Sequence, residues 1–336
     1  MKAFITYLRH YLHQQSRKSF LLIFLFVALL VALNYTFGIE RRILAIRPWY
    51  FSLFGFFVAY GAVLGIAWGI QVWFRRDREM QPPRAGSPFP YWLLLLAPLY
   101  FAAKMIHWDL SPLLPAAVSP AWDHYALIVL QLPAKLLLLL LLLYGCWKGG
   151  LLEGKDPWEA AGLTGRNFNA RPYFFLLLLL VPLIALASTQ HDFLRVYPKF
   201  RNILFINGFA HPVWPWKLLY ELSYGLDFLS IELFFRGLLV IGLARYAGTD
   251  VRASSDLLRH GPHRPEPSVD SVLPMAAFYC TIHFGKPLGE CISSFFGGLV
   301  LGVLALRTRS ILGGLMVHLG LAWMMEIGGW LGNLYL

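Results

Sequence analysis

Residues 124–147 read HYALIVLQLPAKLLLLLLLLYGCW, with an unbroken run of leucines at Leu136–Leu143. A bilayer core takes about 20 apolar residues per helix, so this stretch reads as a membrane-spanning helix. Working toward the N-terminus, Ser19–Gly38, Tyr50–Phe74 and the shorter Tyr91–Ile106 read the same way, as does the short Tyr173–Ser188 after it. Four further runs follow with more polar interruptions: Ser223–Tyr246, Val272–His283, Leu288–Leu306 and Ser310–Leu334. Val272–His283 is too short to span alone and reads as half of a broken helix. The expected fold is all-α, a polytopic transmembrane helix bundle of about eight or nine spans.

Composition supports this. Of 336 residues, 58% are hydrophobic and only 14% charged, and mean hydropathy is +0.57. Soluble domains carry about 25% charged residues, so a water-coated globule and a disordered chain are both excluded. The net charge of +11 does not gather on one face. The basic residues sit in short clusters between apolar runs, which suits anionic lipid and not nucleic acid. Cys146, Cys280 and Cys291 lie inside apolar stretches without paired spacing, so they read as small buried hydrophobes.

The first run is too long for a signal-peptide core and has no cleavage pattern, so it reads as a retained span. Lys2, Arg9, Arg17 and Lys18 precede it and favour a cytoplasmic N-terminus, in what the reading takes to be a bacterial plasma membrane. Alternation then assigns to the cytoplasm Arg75, Arg76, Arg78 and Arg84; Lys148, Lys155, Arg166 and Arg171; Arg245, Arg252, Arg259 and Arg264; and Arg307 with Arg309. The loop Trp108–Asp123 has no Lys or Arg, as an outside loop should. Arg41, Arg42 and Arg47, and later Arg195, Lys199, Arg201 and Lys217, break the pattern. Composition divides the chain into N-terminal helices and their loops over 1–215, and a C-terminal core over 216–336 that carries ionisable residues and glycines. Within that core Gly248–Asp270 reads as a polar cytoplasmic loop.

A charge at mid-membrane costs roughly 2.5–3.5 kcal/mol on insertion scales, which makes each one a functional candidate. Lys104 and Lys135 read as structural, by snorkelling or capping a carbonyl. In Ser223–Tyr246, Glu232 and Arg236 are one turn apart and can neutralise each other as a structural ion pair. His283 closes the next run, Glu290 opens the following one, and His318 with Glu326 lies in the last. Two histidines and a carboxylate on successive helices each carry a burial penalty that convergence on one polar cavity would offset. Gly298 and Gly302 form a G-x-x-x-G, and Gly313, Gly314 and Gly320 mark a second close-approach face; both read as helix packing. H-E-x-x-H, G-x-S-x-G and G-x-G-D motifs are absent from the sequence.

ELFFRG (Glu232–Gly237), YCTIH (Tyr279–His283) and ALRTRSILGGLMVHLGLA (Ala305–Ala322) together resemble the three ordered motifs of the CPBP family. These are the CAAX-protease and bacteriocin-processing membrane proteins, which include type II CAAX prenyl endopeptidases. The family pattern is E-E-x-x-x-R, then F-x-x-x-H, then H-x-x-x-N/D. Here Ile231 stands at the first glutamate, Tyr279 at the Phe and Ala322 at the final Asn or Asp. The resemblance implies a CPBP-type helical core and an intramembrane endopeptidase. In it, a carboxylate and His283 activate water while His318 supports the oxyanion. Glu232, Glu290 and Glu326 are the candidate bases. The alternative is a non-catalytic scaffold or bacteriocin self-immunity protein of the same fold. The implied partners are the lipid bilayer and a membrane-associated peptide or protein substrate. No cofactor is expected; a divalent metal at His283 and His318 with a carboxylate ranks lowest, because no local ligand spacing supports it.

Overall fold

Ser16 and Gly38 set the limits of the first long helix. Ser16 accepts the Ser19 N–H from the N-cap position, and Gly38 closes the other end in the left-handed conformation (φ 63°), its N–H bonded to the Asn34 carbonyl. Between them, Leu21, Leu25 and Leu29 point outward, a face that costs nothing in lipid and much in water.

The computed structural model describes residues 2–75, 80–81, 90–110, 112, 119–166, 168–246, 249–250 and 269–335. Its helices are α1 (Lys2–Gln14), α2 (Arg17–Phe37), α3 (Ile39–Ala45), α4 (Trp49–Arg75), α5 (Leu93–Met105), α6 (Pro120–Lys148), α7 (Pro157–Ala160), α8 (Ala170–Ala187), α9 (His191–Val196) and α10 (Trp214–Glu232). A π-helical run, Leu233–Gly242, continues α10, and α11 (Val272–Thr281), α12 (Leu288–Thr308) and α13 (Leu312–Tyr335) complete the order. Among the described residues, α2, α4, α6, α8, α12 and α13 are long and apolar enough to cross a membrane, and α5 and α11 are shorter apolar helices. All nine expected segments are helical, and the chain is an integral, multi-pass membrane protein. Among the described residues, the strand pairing is a two-residue antiparallel one of Met80–Gln81 with Thr249–Asp250. Arg76, Arg78, Arg84, Arg252, Arg259, Arg264 and parts of the Trp108–Asp123 and Gly248–Asp270 loops lie outside the described residues.

The chain forms two compact units, each assembled from separated stretches: 1–106 with 146–168 and 233–312, and 107–145 with 169–232 and 313–336. The stretches of the two units alternate along the sequence.

In the first unit α11 is the centre. Every residue of Val272–Thr281 is buried, and the helix packs against α12, α4 and α2. A ten-residue helix cannot cross a bilayer alone; here its neighbours surround it. Gly298 and Gly302 of α12 face it: a Cβ at Gly298 would stand 3.0 Å from the Tyr279 ring, and one at Gly302 would meet Met275 and Val272. The expected G-x-x-x-G packing role is thereby explained. Phe101, Phe234, Phe235 and Phe278 stack nearby, with ring centroids 4.9–6.0 Å apart. A buried polar chain links α1, α2 and α4 to the start of α11. Gln15 donates to Ser19 (2.6 Å) and Gln71 (3.0 Å), and Gln71 donates to the Asp270 carboxylate (2.8 Å). Cys280 and Cys291, unpaired by spacing, bring their sulfurs to 4.0 Å across α11 and α12 and remain free thiols.

The second unit packs α6 against α10 and the 3₁₀ segment Lys199–Gly208 through Tyr125, Val129, Ile203, Ile206, Ala210 and Tyr220. The Tyr125 hydroxyl donates to the Trp216 carbonyl (2.6 Å) and Ser223 to that of Val129. Lys135 is buried, within 3.4 Å of the Gln131 side-chain oxygen and over the Trp108 ring, in keeping with its structural reading. Glycines line one side of α13: Cβ atoms at Gly320, Gly329 and Gly332 would meet Leu177, Tyr197 and Leu194.

Candidate active site

The candidate residues divide between the units. His283, Glu290 and Arg236 belong to the first, Glu232, His318 and Glu326 to the second.

Glu232 ends α10, where the backbone passes into the π-helical run, an arrangement that recurs at functional sites. Its side chain is fully buried, and Oε1 lies 2.6 Å from His318 Nδ1. At that distance carboxylate and imidazole form a buried ion pair when His318 carries its proton. His318 comes from the second turn of α13, and its ring stacks against Phe228 of α10 (centroids 6.1 Å, planes 29° apart). The Gly313–Gly314 pair one turn earlier makes the approach feasible. A Cβ at Gly314 would overlap the Glu232 carboxylate, and one at Gly313 would overlap the Tyr173 ring. Sequence reading took these glycines as packing alone; they also make room for an acid.

In the first unit His283 follows α11. Its Nδ1 is 3.0 Å from the Tyr279 carbonyl oxygen and its ring meets the Tyr279 ring edge-on at 4.8 Å. A carbonyl only accepts, so Nδ1 carries the hydrogen and the neutral ring keeps its lone pair on Nε2. Arg236 is fully buried with its guanidinium 4.3 Å from the centre of the Tyr279 ring, a desolvated cation–π contact worth about 2 kcal/mol. Tyr279 therefore serves two motif residues at once: its ring takes Arg236 and its carbonyl orients His283. Nothing in the spacing of the motifs reveals this.

The other two acids are engaged elsewhere. Glu290 pairs with Lys286 one turn before it (3.3 Å). Glu326 accepts the Lys199 and Phe200 N–H groups, at 2.8 and 3.0 Å, on its two oxygens, so it caps the 3₁₀ segment. Both oxygens of Glu326 being held by backbone, its proposed service as a base has a structural competitor. Glu232 alone of the three meets a histidine of its own unit. Ala322, at the place of the family's Asn or Asp, is buried on α13 and offers no polar atom beyond its backbone. Among the described residues, no group of three or more His, Cys, Asp or Glu side chains is gathered in a way that could hold a metal ion.

A polytopic helical protein with motif histidines and a buried glutamate on successive C-terminal helices is the class that fold and site define. The model of one family, described as type II CAAX prenyl endopeptidase Rce1-like, matches residues 214–324, and over that third of the chain the CPBP resemblance is shown. No curated protein and no solved structure matches the chain.

Proposed function

We propose that the chain is a CPBP-type intramembrane endopeptidase that hydrolyses peptide bonds without a covalent intermediate. The observation that carries this reading is the Glu232–His318 contact. In its protonated form His318, with the Glu232 carboxylate against Nδ1, presents Nε2–H as a donor to a developing oxyanion. His283, oriented through Nδ1, takes a proton from water at Nε2 as the hydroxide adds to the carbonyl carbon. His318 then gives its Nε2 proton to the leaving amine and takes one back from solvent, while His283 releases to solvent the proton it took from water. The substrate is a membrane-associated peptide or protein, met in the bilayer. The cationic N-terminus supports a cytoplasmic start in a bacterial plasma membrane.

A second reading is favoured by Ile231 and Ala322, aliphatic where the family resemblance implies a carboxylate and an amide. On that reading the chain is a non-catalytic scaffold or self-immunity protein.

The test reconstitutes the full chain in phosphatidylethanolamine/phosphatidylglycerol vesicles with a farnesylated CAAX peptide and a panel of single-span peptides, products being read by mass spectrometry. Cleavage should fall at least about 10²-fold in His283→Ala, His318→Ala and Glu232→Gln, the size of a lost acid–base group. The double histidine variant should be little worse than either single one, as groups acting on one bond are non-additive. Wild-type rates in both histidine variants would end the enzymatic reading, and an inert wild type would favour the scaffold.

A further inference from the structure

The first unit holds a carboxylate that the motif pattern passes over. Glu40 stands in the first turn of α3. Its N–H donates to Asn34 Oδ1 (2.9 Å), and the same Asn34 side chain donates to the Phe284 carbonyl (3.0 Å). Beside it the Tyr35 hydroxyl donates to the Lys286 carbonyl (2.6 Å). The α2–α3 corner is thus bonded at two points to the turn that follows His283, itself closed by the Lys286 N–H on the His283 carbonyl (3.0 Å).

Between those two anchors lies Gly285. A Cβ there would stand 3.1 and 3.2 Å from the two oxygens of Glu40, tighter than ordinary contact. Glycine at 285 leaves space for an acid, as Gly314 does for Glu232. Among the described residues, Glu40 differs from the candidate acids Glu232, Glu290 and Glu326 in that its oxygens are not held by a hydrogen bond or an ion pair. Burial pushes its carboxyl above the ordinary carboxylate range, with Arg41 pulling it back.

We propose that Glu40 is a positioning residue for His283: its carboxylate, held against the turn at Gly285, stabilises the imidazolium formed when His283 takes a proton. A negative charge set against Gly285, two residues past His283, favours the protonated ring. The inference rests on the reading of His283 as the base. The other charged and titratable groups around this corner are Arg41 on α3, Tyr35 on α2, Tyr60 on α4, Cys280 on α11, Lys286 in the turn, and Glu290 with Cys291 on α12. All of them remain in a Glu40 variant, so a difference reports Glu40 alone.

The experiment titrates His283 by NMR in the full, histidine-labelled chain in detergent micelles, its resonance assigned by its loss in His283→Ala. Glu40→Gln should lower the His283 pKa by about half to one unit, a three- to tenfold change in proton affinity. Glu40→Asp should keep part of the effect, and Gly285→Ala, which displaces the carboxylate without removing it, should lower the pKa by less than Glu40→Gln does. In a chain that cleaves peptide, the acid limb of the kcat/KM profile should move down by the same amount. A His283 pKa unmoved in folded Glu40→Gln overturns the inference even if wild-type cleavage is intact, which leaves the peptidase reading standing. The NMR shift in a chain that cleaves nothing supports the electrostatic link while the peptidase reading falls.

Discussion

At Gly314 one hydrogen atom separates a site from a clash. The Glu232 carboxylate occupies the space that a side chain there would fill, and it does so to reach His318 at 2.6 Å. Gly314→Ala should therefore cost about 1–3 kcal/mol, as overpacking does, read as a lower thermal midpoint in detergent. A neutral substitution would mean that the carboxylate sits elsewhere. At this scale the sequence supplied the identities and not the partners. It marked Glu232, His283 and His318 through their cost in lipid, and it offered Arg236 as the neutraliser of Glu232. Oε1 also meets a histidine that lies 86 residues further along the chain, and Arg236 has the Tyr279 ring beneath it. Pairing across helices depends on which faces meet, and residue spacing along one helix cannot report that.

The helix α11 shows what an element adds. Ten residues cannot span a membrane, and its apolarity alone left it as half of a broken helix. Enclosure by α2, α4 and α12 explains how so short a piece is tolerated: each of its residues is covered by protein. At its start the buried Asp270 takes a hydrogen bond from Gln71 (2.8 Å). Gln71→Leu removes that donor and should destabilise by about 1–3 kcal/mol, the penalty for a buried polar group that loses its partner. Chemical denaturation checks this, and an unchanged midpoint would show that Asp270 draws its support from other groups. Gln15, Ser19, Gln71 and Asp270 are scattered over 255 positions of sequence, so no local pattern announces the network. The run through Ser223–Tyr246 was legible as a helix; its π-helical turn after Glu232 was not, because apolar content is the same for either winding.

For the whole molecule the governing quantity is exposed apolar area. α8 has only Tyr173 buried, while Leu178, Leu179, Leu183 and Leu186 face outward, a surface that only lipid would cover without penalty. Leu179→Arg should impede insertion by about 2.5–3.5 kcal/mol, the cost of arginine at a helix centre, measured as the inserted fraction in a translocation assay. Full insertion would place that face against protein or water instead. Composition and hydropathy by themselves determined the solvent, the helical class and the positions of the spans, because transfer to lipid is close to additive along the chain. They also determined which residues were too costly to be idle. Only tertiary structure decided the partners: Glu232 with His318, Glu326 with the backbone at Lys199 and Phe200, Gly285 beside Glu40. Contacts this close are decided by which helix faces meet and how closely they pack, and that is a property of the folded bundle, to which no single segment holds the key.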